Sequence, residues 1–188
     1  PVWARKGITD EFLWEVNPRL VIVHVSGFGH VGDPKRVHSA AYDLTVQDYS
    51  GYVYQNGTPE EAMTAAPYTG DYFNSLMVIS SALAAVFRAQ RTGEGESIDV
   101  AMYETMLRVG AYYMIDYMNK GVLYPRAGAR HQNLCAIGQY KTKDGILGLC
   151  CYGVPQNKYL LEVIGLGDLW GTEEYPEDTS ALGAEDRS

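Results

Sequence analysis

The sequence predicts an α/β fold, and the first of three observations behind this prediction is an apolar run. Residues 20–29, LVIVHVSGFG, form a continuous β-branched stretch closed by two glycines, which is typical of a strand buried on both faces. A second short strand pattern, ESIDVAM, occupies residues 96–102. Between the two lies a long segment with apolar residues at helical spacing. Helices that alternate with strands in this way indicate a parallel sheet with crossover connections.

The first predicted helix lies in residues 7–20, just before the apolar run. Thr9 is a candidate N-cap, because threonine hydroxyls accept hydrogen bonds from free amides at helix starts. Asp10 and Glu11 would occupy the first turn, and Pro18 would end the helix.

Two further helices are predicted in the crossover. Residues 40–52 space apolar side chains at helical intervals: Tyr42, Val46 and Tyr49. After a Pro/Gly-marked loop at residues 55–70 comes a long helix, in which one face collects Phe73, Leu76, Met77, Ser80, Ala84 and Phe87. Arg88 and Arg91 in its last turn and Gly93 just beyond are typical of a helix C-terminus.

The pattern of predicted secondary structure changes near residue 122. Before this point, residues 103–121 predict one more helix with a glycine past its end. After it, residues 138–153 predict a β-hairpin that turns at Asp144 and Gly145, and residues 155–170 predict a short helix. A second, smaller domain therefore begins in this region.

Composition narrows the classes of function. The 188 residues are 46% hydrophobic, which is enough for a core, and a net charge of −8 gives no basic field to attract nucleic acid or anionic lipid. No apolar stretch is expected to approach the roughly 20 residues of a membrane-spanning helix. We therefore expect a cytoplasmic protein without nucleic acid or membrane partners. The sequence begins with PVWARKG, without an initiator Met, and ends with GAEDRS, so we expect a segment of a longer protein.

Asp71 is the residue that most invites a chemical role. It lies between a Thr-Gly turn and the long predicted helix, so the simplest interpretation is an N-cap that accepts hydrogen bonds from the first amides. The alternative is a reacting carboxylate. The two are compatible, because the helix dipole and the backbone amides would keep such a carboxylate ionised.

The other candidates have weaker signals. The loop SGFGHVGD after the first strand is only a weak signal of a dinucleotide site, because no helix pattern opens directly behind it. His24 is predicted to be a hydrogen-bonded core residue, and no metal is expected because the remaining histidines, at positions 30, 38 and 131, show no ligand spacing. Arg5 and Lys6 are solvated charges unless there is a phosphate to hold.

Four stretches carry a resemblance to a known family: ARKGITDEFLWEVNPRLVIVHVSGFG, PYTGDYFNSL, RTGEGESIDVAMYETMLR and YKTKDG. In this order and spacing they resemble the central part of the family III CoA-transferases, also called the CaiB/BaiF family, and most closely its carnitine branch. The resemblance implies a Rossmann-like large domain at residues 1–102, a linker helix at 103–125 and an incomplete small domain at 126–188. It also implies an interlocked homodimer for the full-length protein.

The resemblance further implies a reaction. Asp71 corresponds to the family's nucleophile, which moves CoA between an acyl-CoA and a free carboxylic acid of the carnitine, crotonobetaine or butyrobetaine type through an aspartyl anhydride and an aspartyl-CoA thioester. CoA would be a substrate, with no tightly bound cofactor. Arg5 or Lys6 matches the basic residue that meets CoA, and Tyr42 and Asp43 match the segment near the pantetheine arm. We further expect the amides of Tyr72 and Phe73 to stabilise the oxyanion.

Two alternatives stay open at this stage. An acyl-CoA racemase or epimerase of the same superfamily would use a His/Asp pair for proton exchange, but the Gly-His-Asp signature is absent and the sequence has VHSAAYD instead. The second alternative is a non-catalytic CoA-binding or oligomerisation segment.

Overall fold

The chain divides into two compact units. The computed structural model describes residues 2–37, 39–132, 134, 136–173 and 175. The first unit comprises Pro1–Gln55 with Met63–Val122, and the second comprises Asn56–Ala62 with Leu123–Ser188. The α/β fold class is confirmed by this mixture of helices and small sheets. The proposed boundaries near residues 102 and 125 stay a prediction.

The first unit contains a two-stranded sheet and six helices in its described part. A 3₁₀ turn at Ala4–Lys6 precedes the regular elements, which are α1 (Asp10–Val16), β1 (Ile22–Ser26), α2 (Asp43–Tyr49), α3 (Tyr52–Gln55), α4 (Thr69–Thr92), β2 (Ser97–Ala101), α5 (Met102–Val109) and α6 (Ala111–Lys120). Thr9 caps α1 as predicted, since its hydroxyl accepts a hydrogen bond of 3.2 Å from the amide of Phe12.

Strands β1 and β2 are parallel, as the crossover pattern predicted. Their register places Ile22 opposite Ser97 and Ser26 opposite Ala101, and helices α2 to α4 form the connection. The prediction that β1 is buried on both faces was wrong for this chain, because Val25 keeps 53% of its surface exposed. Each strand has only one neighbour among the described residues, so one edge of each strand is unpaired there.

Helix α4 packs through small residues. It contacts β1, β2, α2 and α5, and its buried positions are Gly70, Asn74, Ala85 and Ala89. The six residues that the sequence aligned on one face are all exposed. The helical spacing was predicted correctly, but the buried face carries mostly small side chains, which allow a closer approach of the helix to its neighbours.

Helix α4 also overturns one expectation about length. It has 24 residues and is long and apolar enough by composition to cross a membrane, with 17% of its most apolar window buried. The sequence-based expectation that no stretch approaches this length was therefore wrong. One helix of this kind is weak evidence by itself, so its length and composition do not place α4 in a membrane.

The helix predicted over residues 103–121 is broken in two. Gly110 ends α5 and begins α6 with φ −85° and ψ 8°. Its carbonyl accepts a hydrogen bond of 3.4 Å from Gln55 Nε2, and a Cβ at this position would lie 3.0 Å from the same nitrogen. A contact from a distant part of the chain thus accompanies the break, and the local apolar spacing carried no sign of it.

The second unit is built around the predicted hairpin. Strands β3 (Ile137–Lys141) and β4 (Ile146–Cys150) pair antiparallel, and the turn between them is closed by a hydrogen bond from Thr142 N to Gly145 O. Helix α7 (Val154–Val163) follows, as predicted, with Pro155 in its first turn. The short segment 56–62 joins this unit through Arg126, whose guanidinium donates to the carbonyls of Thr58 and Pro59.

Candidate functional site

Asp71 is the third residue of α4 and is half-buried. The prediction that it caps this helix was wrong, because the N-cap position belongs to Tyr68 and Asp71 already lies inside the first turn. Tyr68 has a left-handed backbone conformation with φ 65° and ψ 16°, which is uncommon for a bulky residue. The chain therefore turns sharply just before the helix that carries Asp71.

The carboxylate that caps α4 belongs to Asp43. Its Oδ2 accepts a hydrogen bond of 2.9 Å from the amide of Tyr68, and its Oδ1 accepts one of 2.6 Å from the amide of Gly70. Two of the amides that a helix leaves without an internal partner are thereby satisfied from another helix. The sequence showed only an acidic residue in the first turn of α2, which is favourable for α2 itself and gave no sign of this longer contact.

Gln47, one turn after Asp43, completes the arrangement. Its Nε2 donates to Asp43 Oδ2 at 2.9 Å, and its Oε1 accepts a hydrogen bond of 3.0 Å from the amide of Ala65. The side chain is only 1% exposed. We missed this residue in the sequence, because a glutamine at a helical position carries no signal of its partners.

Close packing joins α2 to the start of α4. Val46 is fully buried, and a Cβ added at Gly70 would lie 3.0 Å from Asp43 Oδ1 and 3.0 Å from Val46 Cγ2. Only glycine leaves room for this approach without a shift of α2. The position of Asp71, the next residue, is therefore coupled to α2.

The amides proposed for the oxyanion need a correction. Tyr72 N donates to Tyr68 O at 2.9 Å, so this N–H is already used. Phe73 follows in the regular helix, where each N–H bonds a carbonyl one turn earlier. The N–H of Asp71 itself is different, since it has no hydrogen-bond acceptor in the part of the chain that the structure describes.

The carboxylate of Asp71 has no hydrogen-bond or ion-pair partner in the same described part of the chain. Its backbone carbonyl accepts from Ser75 Oγ at 2.8 Å, as is common within helices. A carboxylate without such partners at a helix N-terminus keeps its lone pairs for an incoming carbonyl carbon. This combination is what a carboxylate nucleophile requires.

Tyr42 is brought close to the same region, because it is the N-cap residue of α2 and immediately precedes Asp43. Its side chain is 76% exposed. Gly27 holds this segment against the end of β1, since a Cβ at Gly27 would come within 2.2 Å of Ala41 Cβ. The residue after β1 thus determines where α2 can begin.

Arg5 and Lys6 lie in the exposed 3₁₀ turn near the N-terminus. The Nζ of Lys6 lies 5.6 Å from the centroid of the Trp3 ring. In the described residues no hydrogen bond or ion pair joins Lys6 to Asp43 or Asp71. The structure thus brings Tyr42, Asp43 and Asp71 together and records no direct contact of Lys6 with them.

A second polar cluster lies beside the two-stranded sheet. His24 forms the predicted hydrogen bond, with Nε2 at 2.9 Å from Asp10 Oδ2, but its side chain is 35% exposed, so the prediction of a core residue was wrong. Ser97 Oγ donates to the same Asp10 oxygen at 2.6 Å. Partial burial of Asp10 opposes its ionisation, but the Ser97 hydrogen bond and the nearby His24 outweigh this effect and lower the pKa of Asp10. His30 donates its backbone N–H to Asp99.

No cluster of potential metal ligands occurs in the described ranges. His38 lies outside the described residues.

Comparison with curated proteins gives close relatives. The chain is 46% identical over 183 residues to an L-carnitine CoA-transferase of Proteus sp. (strain LE138), and this match covers 97% of the chain and 45% of the relative. An L-carnitine CoA-transferase of Proteus mirabilis (strain HI4320) is similar to the same extent. The chain thus spans less than half the length of the curated relatives that it matches.

Solved structures agree with this comparison. A CAIB/BAIF family protein from Brucella suis matches with a TM-score of 0.73 and 26% identity over 98% of the chain and 50% of that structure. Rv3272 from M. tuberculosis has the same fold, with a TM-score of 0.77 at 21% identity over 99% of the chain and 49% of that structure. The sequence model for CoA-transferase family III matches residues 1–187. The chain therefore belongs to CoA-transferase family III, as its resemblance predicted.

Proposed function

We propose that the protein carrying this chain transfers CoA between an acyl-CoA and a free carboxylic acid, with Asp71 as the nucleophile. The observation that carries the proposal is the Asp71 carboxylate, which lies half-buried in the first turn of α4 without a partner in the described residues. The preceding amides are satisfied by Asp43, so the carboxylate of Asp71 is not needed to cap the helix. Family membership supports the same reaction class.

The reaction proceeds in two halves. An oxygen of the Asp71 carboxylate attacks the thioester carbonyl of the acyl-CoA, the C–S bond breaks, and CoA thiolate leaves behind a mixed anhydride. The thiolate then attacks the carbonyl of Asp71, which yields an aspartyl-CoA thioester and releases the first acid as its carboxylate. The carboxylate of the second acid attacks this thioester, and the returning thiolate opens the new anhydride. Asp71 is regenerated and no proton is consumed.

Developing negative charge needs a hydrogen-bond donor in this scheme. The N–H of Asp71 is the donor that we assign to the oxyanion, since the N–H of Tyr72 already bonds Tyr68 O. The donor and the attacking oxygen then belong to one residue. This arrangement ties the geometry of the oxyanion to the backbone conformation of the turn.

The CoA contacts are part of the proposal. Arg5 and Lys6 present two cations from one exposed turn and suit the phosphates of CoA. Tyr42 is exposed beside the capped start of α4 and suits the pantetheine arm. Asp43 already accepts three hydrogen bonds, so a pantetheine contact would use only its remaining acceptor capacity.

The substrates that we propose are carnitine, crotonobetaine and butyrobetaine and their CoA thioesters. Support comes from the two Proteus relatives, which are described as L-carnitine CoA-transferases. We also propose a homodimer for the full natural chain. The exposed apolar face of α4, with Leu76, Ile79, Leu83 and Phe87 between 55% and 65% exposed, supports burial against further protein.

Mass spectrometry of a trapped intermediate tests the proposal. The full natural chain is incubated with crotonobetainyl-CoA or butyrobetainyl-CoA and then with hydroxylamine, which converts an activated carboxyl group to a hydroxamate. We expect the hydroxamate on the peptide that carries Asp71, no label in Asp71→Ala, and full labelling in Asp48→Ala, which removes an exposed carboxylate of α2. An unlabelled Asp71 with exchange of the substrate α-proton in deuterated water would instead indicate a racemase.

A further inference from the structure

Residues 65 to 70 are held by polar atoms of α2 at three points. The amides of Ala65, Tyr68 and Gly70 donate to Gln47 Oε1, Asp43 Oδ2 and Asp43 Oδ1, respectively. All three donors lie within the six residues that precede Asp71. The path of the chain into the nucleophile is therefore determined by two side chains on one face of α2.

Gln47 is the residue that links these contacts to each other. Its amide nitrogen donates to Asp43 and its amide oxygen accepts from Ala65, so the two ends of the turn are joined through one side chain. The side chain is almost completely buried, with 1% of its surface exposed. Loss of one partner would leave a buried polar group without a hydrogen bond, which is costly.

The conformation of the turn explains why such contacts matter. Tyr68 has φ 65°, a region that costs free energy for a residue with a large side chain. A conformation of this kind persists when surrounding contacts determine it. The Tyr68 amide donates to Asp43 Oδ2, the same oxygen that accepts from Gln47 Nε2.

We propose that Gln47 is a positioning residue for the Asp71 nucleophile, acting through Asp43 and the Ala65 amide on the turn that begins α4. The inference rests on the proposed function and adds a residue to it. Gln47 does not touch the substrate in this scheme. It orients Asp43, which in turn determines the direction of the first turn and of the Asp71 carboxylate.

Single-turnover labelling of Asp71 tests the inference in the full natural chain. Gln47→Met keeps the volume of the side chain but removes both hydrogen bonds. We expect the rate of Asp71 acylation to fall about 10- to 100-fold, because a displacement of about 1 Å at a reacting group costs rates of this order. The Kd for CoA should change much less than the acylation rate, since Arg5 and Lys6, the proposed phosphate contacts, lie in a separate turn with no recorded hydrogen bond to Gln47.

A second variant keeps the test decisive if Gln47→Met does not fold. Gln47→Glu retains the shape of the side chain, and when protonated it can donate to Asp43 and accept from Ala65 as glutamine does. A deprotonated Glu would lie against the Asp43 carboxylate and repel it. The acylation rate of this variant relative to the natural chain should therefore fall as pH rises.

The matched control is Ser97→Ala, which removes a hydrogen bond to the carboxylate of Asp10 in the same unit. Its acylation rate should equal that of the natural chain. A Gln47→Met protein that acylates Asp71 at the natural rate, or a Gln47→Glu protein whose relative rate does not fall as pH rises, overturns the inference and leaves the proposed function standing. A natural chain that never labels Asp71 overturns the proposed function itself.

Discussion

The Asp43 carboxylate and the Gly70 amide form a hydrogen bond of 2.6 Å that joins α2 to the start of α4. The same carboxylate accepts from Tyr68 N, so one side chain provides the cap that the long helix lacks in its own sequence. The residue that follows Gly70 is the proposed nucleophile. Capping of the helix and chemistry are therefore assigned to two different carboxylates, 28 residues apart in the chain.

Removal of the Asp43 carboxylate should destabilise the protein. Asp43→Ala is expected to lower the free energy of unfolding by about 1–2 kcal/mol, which is typical of a lost helix cap. Asp48→Ala, which removes an exposed carboxylate of the same helix, should change it by less than about 0.5 kcal/mol. Urea denaturation of the full natural chain measures both values. Equal effects of the two substitutions would contradict the cap.

Gly70→Ala tests the close contact between α2 and α4. Its Cβ would lie 3.0 Å from both Asp43 Oδ1 and Val46 Cγ2, so α2 or the first turn of α4 must shift. We expect the CoA-transfer rate to fall about tenfold or more, through displacement of Asp71. Gly93→Ala, at the other end of α4 with φ 81°, should reduce stability but leave the rate per folded molecule unchanged. A natural rate in Gly70→Ala would refute the coupling.

The buried hydrogen bond between Thr105 and Asn74 should contribute to the stability of the fold. Thr105 Oγ1 donates to Asn74 Oδ1 at 3.1 Å, and the two residues are 5% and 4% exposed. Thr105→Val keeps the shape but leaves a buried amide oxygen without this donor, and should cost about 1–3 kcal/mol in the free energy of unfolding. Thr105→Ser retains the hydroxyl and should cost clearly less. Thermal denaturation of both variants decides whether the hydrogen bond or only the packing matters.

Acid should destabilise the protein through Asp10. The folded state lowers the pKa of Asp10 below its ordinary value of 3.8, so this group contributes stability above that pH, and the contribution is lost as pH falls through the folded pKa. We expect the free energy of unfolding to fall less steeply below about pH 4 in Asp10→Asn than in the natural chain. Ser97→Ala should show an intermediate slope, because it removes the strongest of the hydrogen bonds that lower the pKa. Identical acid profiles in all three proteins would argue against this role of Asp10.

The cations near the N-terminus are expected to affect binding more than chemistry. Lys6→Gln and Arg5→Gln should each raise the KM for the CoA thioester about tenfold, with kcat little changed, because a charged contact to phosphate is lost. The difference in KM between these variants and the natural chain should shrink at high ionic strength. Arg19→Gln removes an exposed cation elsewhere in the unit and should leave KM unchanged. Steady-state kinetics at two salt concentrations separates these outcomes.

The sequence was informative where local patterns determine structure. The apolar run at residues 20–29 correctly predicted β1, and Thr9 correctly predicted the start of α1. The Asp-Gly pair at 144 and 145 correctly predicted the turn of the hairpin. Long-range contacts decided the rest. Gln55, which is 55 residues away in the chain, contacts the break at Gly110. The carboxylate that caps α4 belongs to Asp43, which is 27 residues before Gly70. The buried face of α4 was missed because it consists of Gly70, Asn74, Ala85 and Ala89, which carry little apolar signal.

Two of the stretches that carry the family resemblance contain glycines with little room around them. Gly27 tolerates no side chain against Ala41, and Gly70 meets Asp43 and Val46 at close range. The role of Gln47 could not be inferred, because nothing in the sequence marks this glutamine as buried. One partner, Asp43, is an acidic residue one helical turn earlier, and the other, the amide of Ala65, is 18 residues away.

The Asp43 contacts to Tyr68 and Gly70 also close a loop in the chain. Both ends of the intervening segment are pinned near one carboxylate, so the placement of the nucleophile does not depend on the length of the path between them. Closing a longer loop costs little additional entropy, about 0.6 kcal/mol for each doubling of its length. Insertions at the exposed Glu60 should therefore be tolerated by the reaction centre, which would let this part of the chain diverge among relatives that share the same chemistry.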